Sequence, residues 1–230
     1  FDHIGPLARS VRDIATVFDA LQGMDDKDPV CTDLPPEPCL PQISQGISGI
    51  RIAIADGYFA EGAQAEALEA VAQVARALGV TRHVELPESR RARAAAHIIT
   101  ASEGANLHLG NLRSRPQDFD PATRDRLLAG ALIPTTWYIQ AQRFRSWYRD
   151  RVREMFRNVD VILAPTTPIV APKLGQEKIV IDGVEMLVRP NLGRFTQPLS
   201  FIGLPVLSVP IQRLGALPLG VQLVAAPYDE

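Results

Sequence analysis

Apolar residues recur at helical spacing near the start of the chain. They are Val11, Ile14, Phe18 and Leu21. Apolar positions three or four residues apart lie on one face of an α-helix. Ser10 precedes this stripe and Asp13 follows Ser10 by three residues, which is the spacing of a helix N-terminal capping box. The pattern predicts a helix that begins after Ser10 and ends before Gly23.

A strand, a helix and a second strand follow a proline-rich connection that runs from Asp25 to Gln42. Ile50 to Ala55 is a short apolar run, Gly62 to Gly79 carries a helical stripe, and Val80 to Leu86 again has the composition of a strand. A strand-helix-strand succession joins parallel neighbours through a right-handed crossover. We therefore expect a βαβ unit here.

The same alternation continues to the end of the chain. The further elements are helices over Glu88 to Leu109 and Trp137 to Phe156, strands over Val159 to Leu163, Val206 to Val209 and Gly220 to Ala225, and a hairpin over Ile179 to Val188 that turns at Asp182-Gly183. Strands that alternate with helices predict an α/β fold whose mixed, mostly parallel central sheet lies between helices. We expect residues 1–230 to be part of a single domain.

Composition and charge restrict the class of partner. With 46% hydrophobic residues and a net charge of −2, the 230-residue chain can bury a large core but offers no excess of positive charge for nucleic acid. The longest apolar stretches, such as Leu199 to Ile211, are too short to cross a bilayer. We expect neither a nucleic-acid partner nor a membrane span.

Cysteine and histidine residues do not indicate a metal site. Cys31 and Cys39 are too few for a zinc site, and the four histidines have no ligand spacing. A local disulfide is compatible with the sequence, but a chain of this length does not need one, so reduced thiols in a cytoplasmic protein are favoured.

Local motifs of a catalytic nucleophile are missing. The sequence has no Gly-x-Ser-x-Gly elbow and no phosphate-binding glycine loop. Lysine is confined to Lys27, Lys173 and Lys178, and none of them lies near a serine in a setting that would lower the lysine pKa. The residues of this chain do not assemble a serine-lysine pair, and the start at Phe1 leads us to expect a cut inside a longer chain.

Four segments, in order along the chain, resemble landmarks of the amidase-signature family. They are Asp2 to Asp13 (DHIGPLARSVRD), Asp160 to Pro168 (DVILAPTTP), Phe195 to Pro205 (FTQPLSFIGLP) and Leu217 to Leu223 (LPLGVQL). The resemblance implies amide hydrolysis by a serine, a second serine on a cis peptide and a lysine, without a cofactor. The glycine- and serine-rich signature that carries those groups has no counterpart in residues 1–230. We therefore assign no catalytic residue here, place all three upstream and expect this chain alone to be inactive.

Within the family, the chain is most similar to members that hydrolyse carboxylated ureas such as 1-carboxybiuret in bacterial s-triazine breakdown. The stretches that carry this similarity are Asp28 to Cys31, Glu103 to His108, Arg115 to Asp120 and Arg189 to Gly193. The partner implied is a small-molecule amide. The resemblance is also compatible with a homo-oligomer or with a small accessory subunit.

Five residues are candidates for substrate binding. They are Arg145, His108, Thr166, Thr196 and Gln197. By resemblance, the arginine of the Ala141 to Arg145 stretch holds a substrate carboxylate, a role that suits its planar fork; an ion pair that ties the helix to the sheet is the equal alternative. His108 ends a segment, Glu103 to His108, that we expect to form a turn near the pocket mouth, although a structural histidine is favoured. The threonines and Gln197 are expected on loops at strand ends, where their side chains could instead cap local backbone.

Two other functions remain open from sequence. Glutamine-hydrolysing members that serve tRNA-dependent amidation carry an acidic residue shortly before the Gly-Leu-Pro segment, to hold the substrate amino group. Here that stretch reads Asn191-Leu192-Gly193-Arg194, without a carboxylate, which disfavours an amino acid substrate. The second alternative is a non-catalytic amidase-like interaction module.

Overall fold

The computed structural model describes residues 1 and 3–229. Asp2 of the first family landmark and Glu230 at the end of the expected domain lie outside the described residues. The described residues form two compact units: a smaller one of residues 3–50, and a larger one of Phe1 with Arg51–Asp229. That residues 1–230 belong to a single domain stays a prediction.

The smaller unit contains helix α1, Val11–Leu21, with the predicted bounds. The Ser10 hydroxyl accepts a hydrogen bond from the Asp13 backbone N–H at 3.1 Å, which satisfies one of the free amide groups at the helix start. Asp19 of α1 accepts hydrogen bonds from the backbone N–H groups of Cys39 (2.7 Å) and Leu40 (3.0 Å). One carboxylate thus ties the proline-rich connection to the helix. No disulfide joins Cys31 to Cys39.

The larger unit alternates strands and helices. Its helices are α2 (Ala65–Ala77), α3 (Ser89–Ser114), α4 (Pro121–Gly130), α5 (Thr135–Met155), α6 (Val188–Leu192) and α7 (Gln197–Ser200). Its strands are β1 (Ile52–Ala55), β2 (His83–Val84), β3 (Val161–Pro165), β4 (Lys178–Ile181), β5 (Val184–Leu187), β6 (Val206–Ile211) and β7 (Leu219–Val224).

Five strands form the central sheet in the order β2-β1-β3-β7-β6. β1 pairs in parallel with β2 and β3, whereas β7 runs antiparallel to both β3 and β6. Four of the five strands therefore point in one direction and only β7 is reversed, and the predicted mixed, mostly parallel sheet is confirmed. The βαβ unit of β1, α2 and β2 and the β4-β5 hairpin are also confirmed.

The core lies where helices cover the sheet. Residues 162–165 of β3 are all buried, as expected for a central strand covered on both faces. α2 packs against β3 and β7, and α3 packs against α4, α5 and α7. Tyr148 of α5 is fully buried, and its hydroxyl lies 3.3 Å from that of Ser89 at the start of α3. None of the helices in the described part of the chain is long and apolar enough to cross a membrane.

Sequence reasoning missed α4, α6 and α7 and ended α3 five residues too early. The signal for α4 was present, because Asp120 precedes Pro121, and a proline in the first turn after a capping residue starts many helices. α3 and α4 cross at two glycines. A methyl group on Gly130 would lie 2.1 Å from the Ala101 carbonyl oxygen, and one on Gly104 would lie 2.7 Å from a Leu127 methyl group. The two helices approach this closely because neither glycine has a side chain.

Candidate functional site

A cavity of about 740 Å³ in the larger unit is rich in arginine. Among the described residues, its lining includes Arg90, Arg93, Arg126, Arg189 and Arg194, and no carboxylate. α3 presents Arg90, Arg93 and His97, whose spacing of three and four residues places them on one helix face. α4 supplies Arg126 and α6 supplies Arg189. Three helices that are distant from one another in sequence, α3, α4 and α6, therefore place arginine side chains around the same cavity.

Two of the five arginines have carboxylate partners. Arg90 pairs with Glu61 at 3.4 Å and Arg189 pairs with Asp120 at 3.0 Å. Arg93, Arg126 and Arg194 make no ion pair with any carboxylate of the described residues. The cavity therefore has an excess of positive charge.

Asp120 links α4 to α6. Its carboxylate accepts a hydrogen bond from the Thr123 backbone N–H at 3.0 Å, which caps α4, and another from Arg189 at 3.0 Å. The Thr123 hydrogen bond and then the Arg189 contact hold the pKa of Asp120 below its usual value. This carboxylate therefore holds Arg189 of the cavity lining against the start of α4.

Arg93 is fixed by neutral acceptors. Its Nε donates to Gln197 Oε1 at 2.9 Å, and Nη2 donates to the Pro190 carbonyl at 2.5 Å and to Asn191 Oδ1 at 3.2 Å. These acceptors hold the guanidinium in place without cancelling its charge. Arg93 thus joins α3 to the segment that carries α6 and α7.

Arg194 is the buried arginine of the cavity, with 9% of its surface exposed. Its guanidinium carbon lies 4.7 Å from the Tyr58 ring centroid and 5.7 Å from that of Phe195. The Nε atom is buried and has no hydrogen-bond partner among residues 1 and 3–229. Burial lowers the pKa of Arg194, and the nearby charges of Arg90 and Arg93 act in the same direction, whereas Tyr58 and Glu61 oppose them.

The charges of the cavity arginines also act on the imidazole of His97. The pKa of its imidazole is lowered, first by the loss of hydration in the cavity wall and then by the charges of Arg126 and Arg93. We therefore expect His97 to be neutral at pH 7.

Of the residues predicted from sequence to bind substrate, Gln197 lines this cavity. It is the first residue of α7 rather than part of a loop, and Thr196 precedes it as the N-cap residue. Thr196 Oγ1 donates to the Gly193 carbonyl at 3.3 Å. Thr166 directly follows β3, as expected, and its hydroxyl lies 2.7 Å from that of Ser208.

Arg145 and His108 lie on helices away from the arginine-lined cavity. The Arg145 Nε donates to the Phe201 carbonyl at 2.8 Å, and its guanidinium carbon stands 4.4 Å from the Phe1 ring centroid. Burial lowers the pKa of Arg145. Two expectations covered Glu103 to His108, a helix and a turn. The helix is confirmed and the turn is wrong, because the segment is part of α3, whose backbone hydrogen bonds continue to Ser114. His108 contacts the edge of the Phe119 ring.

The charged lining of the cavity was missed at the sequence level. The spacing of Arg90, Arg93 and His97 could have signalled a basic helix face. Arg126, Arg189 and Arg194 gave no such signal, because only the packing of α4, α6 and the following segment brings them to α3. Among residues 1 and 3–229, no cluster of histidine, cysteine or carboxylate side chains has the arrangement of a metal site.

Comparison with known proteins gives the family. The amidase family model matches residues 1–230. AtzE of Pseudomonas sp. (strain ADP), which is one of the subunits of 1-carboxybiuret hydrolase, is 47% identical over 100% of this chain and 50% of its own length. A glutamyl-tRNA(Gln) amidotransferase subunit of Dechloromonas aromatica (strain RCB) is 31% identical over 100% of this chain and 52% of its own length. The chain thus spans about half the length of these relatives.

Comparison with solved structures supports the same family assignment. An inhibitor-bound complex of an s-triazine catabolic enzyme superposes with a TM-score of 0.95 at 47% identity, covering 98% of this chain and 50% of that one. The crystal structure of an amidase superposes with a TM-score of 0.81 at 26% identity, covering 98% and 49%. With a family model that matches the whole chain and relatives that follow its fold throughout, the chain belongs to the amidase family.

Proposed function

We propose that the full-length protein hydrolyses a small carboxylated amide such as 1-carboxybiuret. The observation that carries the proposal is the 47% identity, along the entire chain, to a protein of 1-carboxybiuret hydrolase. In such a reaction water adds to the carbonyl carbon, the C–N bond breaks and the nitrogen leaves as an amine or ammonia. The partner is a small molecule, and assembly with a small accessory subunit or with further copies is part of the proposal.

The catalytic serine, the second serine on a cis peptide and the lysine belong, in this proposal, to the part of the protein upstream of Phe1. In support, the three lysines of this chain offer no activated nucleophile: Lys178, for example, pairs at the surface with Glu185 at 2.7 Å. We therefore expect this chain by itself to be inactive. Acylation of one of its own serines by an amide substrate would contradict that expectation.

Arg145, His108, Thr166, Thr196 and Gln197 are our proposed substrate-binding residues. Arg145 is the most testable of them. Its Nε donates a hydrogen bond to the Phe201 carbonyl, but the guanidinium forms no ion pair with any described carboxylate. The N–H groups of its terminal nitrogens can therefore donate to a substrate carboxylate. Replacing one charged hydrogen-bonding partner weakens binding by about 10- to 100-fold.

The matched experiment compares Arg145→Ala with Arg143→Ala in the full-length enzyme. Arg143 lies two residues earlier on α5 and is exposed. With 1-carboxybiuret, we expect Arg145→Ala to raise KM about 10- to 100-fold and Arg143→Ala to leave it unchanged. An equal KM in both variants would remove Arg145 from the substrate site.

Glutamine hydrolysis for tRNA-dependent amidation is the alternative, since amidotransferase subunits are also relatives. The stretch before the Gly-Leu-Pro segment argues against it, because Asn191-Leu192-Gly193-Arg194 offers no carboxylate that could hold an α-ammonium group. An assay of ammonia release separates the two: the proposal requires release from 1-carboxybiuret and none from glutamine. Release from glutamine alone would favour the amidotransferase role.

A further inference from the structure

One face of α5 lies in solvent and carries a continuous row of side chains. The row consists of Ile139, Arg143, Trp147 and Arg151. A spacing of four residues places these side chains next to one another, as a ridge on the helix surface. Ile139 is 45% exposed, Trp147 is 40% exposed, and both arginines are exposed. We call this row the α5 ridge, and none of its residues lines the arginine-lined cavity.

The α5 ridge has positive charge that the described chain does not neutralise. α5 contains five arginines but two carboxylates, whereas the whole chain has a net charge of −2. Both carboxylates are already paired with other arginines, Asp150 at 3.2 Å and Glu154 at 2.8 Å. Arg143 and Arg151 make no ion pair and no side-chain hydrogen bond with residues 1 and 3–229. Their guanidinium groups therefore have N–H donors available for a partner.

Trp147, between the two arginines, is held by neighbouring aromatic rings. Its ring centroid lies 5.5 Å from that of Phe144, which in turn lies 6.0 Å from the ring of buried Tyr148. The guanidinium carbon of Arg91 on α3 lies 4.9 Å from the Phe144 ring centroid. A side chain that is already held in place loses little freedom on binding, and tryptophan and arginine contribute most of the binding energy in many protein interfaces. An exposed indole between two free arginines is therefore suited to bind another protein.

We propose that the α5 ridge is the docking surface for an acidic α-helix of another protein. A row of side chains at four-residue spacing fits the groove between the rows of a second helix, which then crosses at about −50°. Carboxylates of that helix, placed opposite Arg143 and Arg151, form the charged hydrogen bonds that the chain itself leaves open. Ile139 and Trp147 supply the apolar part of the contact. The inference goes beyond the proposed hydrolysis and holds whether or not that reaction is correct.

Charge disfavours two other occupants of the α5 ridge. A second copy of the chain would bring arginine against arginine, and the carboxylates of α5 that could relieve the repulsion are already paired. A nucleic acid would bring phosphates close to Asp150 and Glu154, which adjoin Arg151 in sequence and repel phosphates. An acidic helix avoids both conflicts, since its carboxylates can be confined to positions opposite the free arginines.

Two synthetic peptides test this charge complementarity. Both are amphipathic helices with the same row of leucines, and they differ only in carrying glutamate or lysine beside that row. In fluorescence anisotropy titrations of the full-length protein, we expect the glutamate peptide to bind about 10-fold more tightly than the lysine peptide. Trp147→Ala should weaken binding of the glutamate peptide about 10- to 100-fold, the loss typical of a central interface residue. Arg143→Glu combined with Arg151→Glu should reverse the preference, so that the lysine peptide binds more tightly.

The matched control is Arg153→Glu. Arg153 is exposed on the same helix, but it follows Arg151 by two residues and so lies on a different side of α5. This variant makes the same change of charge and should keep the preference for the glutamate peptide. All the substituted residues are exposed, so the variants should fold normally, which circular dichroism verifies.

Three results would overturn the proposal. The first is a glutamate peptide that does not bind, or that binds no more tightly than the lysine peptide. The second is a loss of affinity in Arg153→Glu equal to that in Arg151→Glu, because general charge rather than the α5 ridge would then attract the peptide. The third is a different occupant: self-association of the full-length protein that Trp147→Ala abolishes in sedimentation velocity, or an RNA duplex that displaces the glutamate peptide and loses affinity in the same variants.

Discussion

Replacement of Gly130 by alanine probes the closest helix contact near the cavity. A methyl group at this position would stand 2.1 Å from the Ala101 carbonyl oxygen and 2.4 Å from its carbon. Carbon–oxygen contacts of this kind normally measure about 3.3 Å, so α4 would have to move away from α3 by about 1 Å. The obstacle is backbone, which cannot rotate aside as a flexible side chain can.

The expected cost follows from two opposing terms. Overpacking of a tight contact costs about 1–3 kcal/mol. Alanine is favoured over glycine by up to about 1 kcal/mol inside a helix, and by less at Gly130, because this residue ends α4. With a gain of about 0.5 kcal/mol subtracted, we expect Gly130→Ala to lower the free energy of unfolding by about 0.5–2.5 kcal/mol.

Gly110→Ala is the matched control. Gly110 lies inside α3, and a methyl group there meets no atom within 4 Å. Only the propensity term applies, so this variant should gain about 0.5–1 kcal/mol. Urea denaturation of the full-length protein measures both changes. The two substitutions must shift stability in opposite directions, and a Gly130→Ala variant as stable as Gly110→Ala would refute the close-contact argument.

Three further expectations follow from buried or paired groups. Burial, and then the charges of Arg126 and Arg93, lower the pKa of His97. Arg126→Gln should therefore raise this pKa in an NMR titration of the imidazole, and an unchanged titration would show that Arg126 does not act on His97. Tyr148→Phe should lower the free energy of unfolding by about 0.5–1.5 kcal/mol, because the contact with the Ser89 hydroxyl is lost. Burial raises the pKa of Tyr148 to about 12, so in the unmodified protein its phenol should not ionise below pH 10 in absorbance titrations. Asp160→Asn should cost under about 1 kcal/mol, because the Arg51–Asp160 pair is half-exposed. The Arg51 hydrogen bonds lower the pKa of Asp160. The loss of stability in Asp160→Asn should therefore be present above the ordinary aspartate pKa of about 3.9 and vanish as the pH falls through the lowered pKa. A loss of stability that persists at lower pH would exclude the ion pair as its cause.

Much of the fold could be predicted because local patterns determine individual elements. The Ser10 cap and the stripe of apolar residues after it predicted the first residue of α1 and an end before Gly23, and the helix runs from Val11 to Leu21. The apolar run before Asp56 and the helix after it predicted the parallel pairing of β1 with β2. α4 escaped notice because it has no continuous apolar stripe: Leu127 and Gly130 are its buried residues, and one of them is a glycine.

The candidate site was harder to predict for a different reason. Gln197 was expected near a ligand and lines the cavity, but Arg126, Arg189 and Arg194 stand in three separate segments without a shared motif. Each resembles an ordinary surface arginine when read alone. Only the burial and missing partner of Arg194 distinguish it, and both are properties of the folded chain.

The sequence by itself determined most of the helices and strands, the mixed sheet and the amidase family, because spacing, capping and ordered motifs act over short stretches of chain. Tertiary structure alone decided which charges meet. Arg93 and Arg194 are 101 positions apart in the numbering, and the Coulomb interaction between them depends on distance in space. The packing of α3 against α4, which Gly130 permits, and the confinement of Arg194 beside Gly62 create the arginine-lined cavity, and no local pattern encodes that proximity.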